Sequence, residues 1–131
     1  MKRFRLSLAL FACLLTISQV TAQEKRGRTF VDDLEQAVVG NPQLSPDGKQ
    51  ILFTVDRADW KQNRRVGHIF RINSDGTGQA QLTFGERGET APRWSPDGKC
   101  SAFTTRRDAD TSNQIYLLSV AGGEARRLTN H

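Results

Sequence analysis

A chain of 131 residues has the length of one small domain, and a mean hydropathy of −0.54 with 37% hydrophobic residues reads as mostly soluble. Its formal net charge is +5. Lys2, Arg3 and Arg5 supply three of those charges and no acidic residue precedes Glu24, so the remaining +2 is too small to argue for a nucleic-acid partner.

Met1–Ala22 reads as a secretory signal peptide. A basic start is followed by an apolar run from Leu6 to about Val20, and Val20-Thr21-Ala22 offers small residues where a signal peptidase reads. The apolar run is short for a membrane span, which needs about 20 residues. Cleavage after Ala22 is expected, with an uncleaved anchor as the alternative. Leu10-Phe11-Ala12-Cys13 resembles a lipoprotein site only faintly, because Phe11 is bulky and the apolar run continues past Cys13. Cleavage would leave Cys100 as the one cysteine, with no internal disulfide partner; it reads as a small buried hydrophobe in a strand between blades.

Residues 23–40 read as a linker and a short helix. Glu24–Arg28 is polar. Thr29–Val39 is predicted helical, with Thr29 as the cap and Asp32 in the place of a capping-box acid. Val31, Leu34 and Val38 fall on one face, and Gly40 and then Pro42 are expected to stop the helix.

Residues 41–131 contain one unit twice. Pro42-Gln43-Leu44-Ser45-Pro46-Asp47-Gly48-Lys49 returns as Pro92-Arg93-Trp94-Ser95-Pro96-Asp97-Gly98-Lys99. Phe53-Thr54 then answers Phe103-Thr104, and Ile69-Phe70-Arg71-Ile72 answers Ile115-Tyr116-Leu117-Leu118. A unit of roughly 40–45 residues is the size of a β-propeller blade. The expected fold is all-β: two four-stranded blades of an incomplete propeller. Blade 1 spans about 41–83, with strands at Asn41–Ser45, Gln50–Val55, His68–Asn73 and Ala80–Thr83. Blade 2 spans about 90–129, with strands at Ala91–Ser95, Cys100–Thr105, Gln114–Val120 and Ala125–Thr129. Asp56–Gly67 reads as a polar, basic loop and Phe84–Thr90 as the crossing between blades.

Ser-Pro-Asp-Gly between two strands is hairpin chemistry: proline fixes φ, aspartate tolerates the next position and glycine takes positive φ. Valine at Gly48 or Gly98 should therefore cost about 1–3 kcal/mol. Ser45, Asp47, Ser95 and Asp97 read as turn formers, and no Gly-x-Ser-x-Gly elbow occurs. Asp108-Ala-Asp110-Thr-Ser112-Asn113 has oxygen side chains at alternate positions, like the start of a calcium loop. Asn113 stands where glycine belongs and Ser119 where the closing glutamate belongs, so a plain loop is expected. His68 and His131 are the only histidines, too few for a zinc set with cysteine. Arg64-Arg65, Arg106-Arg107 and Arg126-Arg127 read as solvated loop or edge charges. No catalytic, cofactor or metal residue is assigned.

The pattern Pro-x-Trp-Ser-Pro-Asp-Gly-Lys, Ala-Phe-Thr, Ile-Tyr-Leu-Leu and Gly-Gly-Glu-Ala-Arg-Arg-Leu-Thr resembles TolB-like (PD40-type, WD40-like) blades over Pro42–Thr129. More narrowly, the lead from Thr29–Val39 into Asn41-Pro42, the stretch Asn63-Arg64-Arg65-Val66-Gly67-His68-Ile69 and the close Gly122–Thr129 resemble the amino-terminal end of a secreted prolyl-oligopeptidase-family (S9) serine peptidase. The similar branches are the acylaminoacyl and dipeptidyl peptidases. That resemblance implies a following α/β-hydrolase domain with a Ser-Asp-His triad, short peptides as substrates of the parent, and a propeller that screens access. It also implies periplasmic or secreted localisation, with no nucleic acid and no membrane after signal removal. No family catalytic residue, and no propeller glutamate that holds a substrate amino terminus, maps onto this sequence. The 131 residues alone are expected to be a non-catalytic fragment, the hydrolase domain being absent from them. The alternative is a TolB-like periplasmic propeller that binds proteins.

Overall fold

The computed structural model describes residues 26–107 and 109–130; the expected signal peptide, Cys13 and His131 lie outside them. One short helix, α1 (Phe30–Glu35), precedes eight strands: β1 (Val38–Leu44), β2 (Gln50–Asp59), β3 (Arg64–Asn73), β4 (Ala80–Gln81), β5 (Thr90–Trp94), β6 (Cys100–Thr105), β7 (Gln114–Ser119) and β8 (Arg126–Arg127). They form two four-stranded sheets in the orders β1-β2-β3-β4 and β5-β6-β7-β8, and every neighbouring pair is antiparallel. The two sheets are the two expected blades.

The Ser-Pro-Asp-Gly turns are near copies. In blade 1, Gly48 N–H donates to Ser45 O at 2.9 Å and the Ser45 hydroxyl donates to Asp47 Oδ1 at 2.6 Å. In blade 2, Gly98 N–H donates to Ser95 O at 2.9 Å and the Ser95 hydroxyl donates to Asp97 Oδ1 at 2.6 Å. Gly48 and Gly98 hold φ of 72° and 69°, the region that favours glycine. The serine donor, followed by the backbone N–H of Lys49 or Lys99, holds each aspartate below its ordinary pKa. These serines are turn formers in the structure as in the sequence.

Helix α1 has its capping box: Thr29 N–H donates to Asp32 Oδ2 at 2.7 Å, and Asp32 N–H donates to Thr29 Oγ1. It is shorter than expected. Gln36 is already extended (φ −61°, ψ 128°), and Val38 and Val39 pair with Asp56 and Val55 as the start of β1. The β-branched valines prefer that pleated pairing to a last helical turn. Gly40 and Pro42 therefore do not stop a helix. They sit in β1 at a register shift between Gly40 and Gln43, where Asn41 has φ 51°. The single-faced stripe also fails, since Val38 lies in the strand and Phe30 and Val31 are exposed.

Asp56–Gly67 is not a loop. β2 and β3 stay paired out to Asp59↔Arg64 and leave only residues 60–63 as the turn. Asp59 Oδ1 accepts from Lys61 and Gln62 N–H at 3.0 and 3.1 Å, and Asn63 takes φ 47°, which closes this tight hairpin. Charged residues hide the alternation: Asp56, Arg57 and Asp59 face Gly67, Val66 and Arg64 across the ladder. β4 and β8 shrink to two residues each, but their extensions still dock. Ile69 N–H donates to Thr83 Oγ1 at 2.9 Å, and Ile115 N–H donates to Thr129 Oγ1 at 3.0 Å.

The core lies between the blades. Leu52 and Ile69 on one face of blade 1 meet Phe103, Tyr116 and Leu118 of blade 2, all 5% exposed or less. Each such side chain contributes roughly 1.5–3 kcal/mol of burial. Phe103 and Tyr116 stack at 6.2 Å between ring centroids. Trp94 packs against this cluster, and its indole N–H donates to Gln43 O of blade 1 at 2.9 Å. Cys100 is half-buried rather than enclosed: it opens β6 opposite exposed Ser119, and strand alternation turns it away from blade 1.

Candidate functional site: the cleft where blade 1 crosses to blade 2

The segment after β4 must leave one sheet and enter the next, and its backbone groups need partners on the way. Leu82 N–H donates to Ile69 O and Glu89 N–H to Gly67 O, both at 2.8 Å. Glu89 is 2% exposed; its Oε1 accepts from Gly85 N–H at 2.9 Å and its Oε2 lies 3.0 Å from His68 Nδ1. Gly88 has φ 79°, and a Cβ there would lie 2.7 Å from Gly67 O, so only glycine fits this contact. Thr105 Oγ1 donates to Gly88 O at 2.7 Å and ties the crossing to β6.

Arginine completes the frame. Arg64 donates to Glu86 O at 2.7 Å and to Arg87 O at 3.0 Å, bridging the β2–β3 hairpin to the crossing. Arg65 donates to Leu34 O, Gln36 O and Asp56 O, clamping the carboxyl end of α1 onto blade 1. These two residues are therefore bound to backbone carbonyls rather than simply solvated. The sequence signal is the arginine pair itself, standing in a strand whose charges make it look like a loop.

Two open clefts flank the crossing. One, of about 620 Å³, is lined by Gln62, Arg64, Arg87, Thr104, Arg106 and Asn113, with Glu86 also at its wall. The other, of about 490 Å³, runs past Phe84, Leu118, Arg107 and Glu124.

The stretch expected to be a plain loop has a use of its own. Asp108 lies outside the described residues. Asp110 is buried, and its carboxylate accepts from Arg107 N–H, from the Tyr116 hydroxyl at 2.8 Å and from Arg127 Nη1 at 2.9 Å. The Arg107 N–H contributes most to holding the Asp110 pKa below its ordinary value, while burial opposes it. Burial, and then the Asp110 carboxylate, push the Tyr116 phenol up. The Arg107 guanidinium lies 4.5 Å from the Tyr116 ring centroid. Asp110, Arg107 and Arg127 thus form a structural network under blade 2.

Among the described residues, no helix is long and apolar enough to cross a membrane.

No protein-family model matches the chain. Curated relatives do. An uncharacterized peptidase of Bacillus subtilis, YuxL, is 36% identical over 100 residues, 76% of this chain and 15% of that protein. Dipeptidyl-peptidase 5 of Porphyromonas endodontalis is 34% identical over 96 residues, 73% of this chain and 14% of that protein. The chain thus spans only about 15% of the length of the relatives it matches. Among solved structures, the Pyrococcus horikoshii acylaminoacyl peptidase aligns with a TM-score of 0.61 at 18% identity over 76% of this chain and 15% of its own. The β-propeller domain of the Pyrococcus furiosus trilobed protease aligns with a TM-score of 0.57 at 20% identity over 71% and 27%. These two show the propeller fold. A putative TolB of Agrobacterium tumefaciens aligns with a TM-score of 0.54 at 29% identity over 73% and 31%. Over its two blades the chain is thus similar to the propeller region of S9-type peptidases with TolB-like repeats.

Proposed function

We propose that these blades are the amino-terminal part of the propeller of an exported S9-type serine peptidase, and that the propeller screens access to an α/β-hydrolase domain of the same polypeptide. The observation that carries this is the 36% identity to a peptidase across both blades. Blade symmetry supports it. The blade 1 face of Leu52 and Ile69 is covered by blade 2, whereas the matching blade 2 face of half-buried Ala102 and Leu117 and 40%-exposed Ile115 is only partly covered among the described residues. A further blade would bury it. Export rests on the charge–apolar–small order of Met1–Ala22. The substrates of such an enzyme are short peptides. A second reading, a TolB-like protein-binding module, is favoured by the 29% identity to the TolB structure.

The test is to purify the gene product from its host, determine its amino terminus and mass, label one portion with a fluorophosphonate and assay a second, unlabelled portion on peptides of increasing length. An exported product starting at Gln23, labelled at one serine and cutting short peptides but not folded proteins, is expected. A product that neither labels nor cleaves selects the binding module, and an intact Met1 in the exported fraction removes the signal-peptide reading. In unlabelled, active enzyme, Trp94→Ala should relax the length limit; an unchanged limit would remove the screening role.

A further inference from the structure

We infer that the cleft at the blade crossing binds a carboxylate-bearing peptide segment, held by Arg87 and Arg106. Arg87 comes from the crossing and Arg106 directly follows β6, and both line the same cavity of about 620 Å³. Their backbones are fixed relative to each other by the Thr105 Oγ1 to Gly88 O bond at 2.7 Å. Both side chains are exposed. Arg106 spends its Nε–H on Asp110 O at 3.2 Å, which orients the guanidinium and leaves Nη1 and Nη2 without a partner among the described residues. Arg87 donates no side-chain hydrogen bond there, because its own carbonyl, not its guanidinium, meets Arg64. Arg64 adds its charge to the wall, and among the described residues Glu86 is the one carboxylate lining the cleft with the three arginines.

Two guanidiniums on a fixed frame suit carboxylate, which they bind through paired N–H groups. Gln62, Thr104 and Asn113 add amide and hydroxyl groups of the kind that bonds a peptide backbone. A polyanion is disfavoured, because the charge beyond the first five residues is only +2. The inference deepens the proposed function, on which its peptide part rests: it assigns the propeller a preference for acidic segments. Carboxylate capture itself is read without turnover, so a failure of either is distinguishable from a failure of the other.

The experiment is calorimetric titration of the full gene product with acetyl-Ala-Ala-Glu-Glu, with acetyl-Ala-Ala-Gln-Gln-amide and with inorganic phosphate. Any serine that labels is first blocked with fluorophosphonate. Saturable binding of the acidic peptide alone is expected. Arg87→Gln and Arg106→Gln should each weaken it about tenfold, the worth of one charge-assisted contact. Half-molar salt should weaken it as well. Arg106→Lys keeps the charge but loses the fork, and should fall between wild type and Arg106→Gln; thermal melts confirm that each variant is folded. Equal binding of the neutral peptide, phosphate binding as tight as the acidic peptide, or Arg87→Gln binding like wild type would each overturn the inference.

Discussion

In blade 1 the two central strands run ten residues each; in blade 2 they run six. The turns that open the blades are the same to within about 0.1 Å in their shared hydrogen bonds, so the difference lies in what each blade touches. Pro42 and Leu44 of β1 are exposed, while their counterparts Pro92 and Trp94 of β5 are buried and half-buried against blade 1. Beyond Val55, blade 1 continues as a hairpin whose Gly67 admits Glu89 and whose Arg64 holds the crossing. Blade 2 has Asn113 in the place of Gly67 and uses the buried Asp110 to organise the corresponding end. A repeat fixes strands and turns. Burial is then set by the neighbour, so equivalent residues carry unequal energies.

The largest expected effect comes from breaking the glycine contact between β3 of blade 1 and the crossing that follows it. Gly88→Ala puts a Cβ 2.7 Å from a backbone oxygen at positive φ, and backbone cannot swing aside as a side chain can. A loss of about 3 kcal/mol or more is expected from the clash and the strained φ together. Chemical denaturation of the parent protein checks it, and a loss under about 1 kcal/mol would mean the crossing is not packed as described.

The second prediction sets β1 and β5 against each other. Trp94→Ala removes packing on the core and the bond to Gln43 O, and should cost about 2–4 kcal/mol. Leu44→Ala, at the equivalent but 62% exposed position, should cost under about 0.5 kcal/mol in a two-blade preparation. In the parent protein, a preceding or closing blade over Leu44 would raise that cost. The pair of numbers therefore also reports whether blade 1 has a neighbour on its other side.

The repeat, its eight strands and the Ser-Pro-Asp-Gly turns were legible because they rest on local chemistry: proline, aspartate and glycine at fixed spacing, and alternation in Gln50–Val55 and Cys100–Thr105. Where tertiary contacts rule, the sequence misled. Val38 and Val39 look helical next to a capped Thr29 until β2 supplies a partner. Arg57, Arg64 and Arg65 look like loop residues because each is charged, although all three lie in paired strands. Asp110 looks like a plain loop residue, but its partners Tyr116 and Arg127 arrive from β7 and β8. Gly88 and Glu89 carry no local signal, since no sequence pattern marks a glycine that must pass a carbonyl in another strand.

Asp110 gives the comparison a pH axis. Its folded pKa lies below the ordinary aspartate value, chiefly through the Arg107 N–H. A group shifted that way contributes stability above the unfolded pKa and loses it as pH falls through the folded one. Wild type should therefore lose stability below about pH 4, and part of that loss should vanish in Asp110→Asn, which is itself less stable at pH 7 because Arg127 loses its ionic partner. Melts at several pH values decide it. If wild type and the Asp110→Asn variant show parallel acid profiles, the Asp110 network does not titrate as described.

The smallest effect transplants a solution from one blade into the other. At the bulge in β1 and in β5, Asn41 of blade 1 has φ 51° and Ala91 of blade 2 has φ 52°. Left-handed backbone costs an alanine about 1–2 kcal/mol, whereas asparagine visits it routinely and glycine freely. Asn41 also donates its side-chain amide to Thr54 Oγ1 at 3.3 Å, and Thr104 is the residue matching Thr54 in blade 2. Ala91 is exposed, so a longer side chain meets no packed wall there. Ala91→Asn should then stabilise by about 1 kcal/mol, a rise of roughly 4–8 °C in a domain this size. Ala91→Gly separates the two sources: it relieves the backbone but makes no amide bond and loosens the unfolded chain, so its gain should be smaller. A melt in which Asn gains no more than Gly would assign the whole effect to backbone strain, and one in which neither variant gains would show that the bulge in blade 2 is unstrained despite its φ.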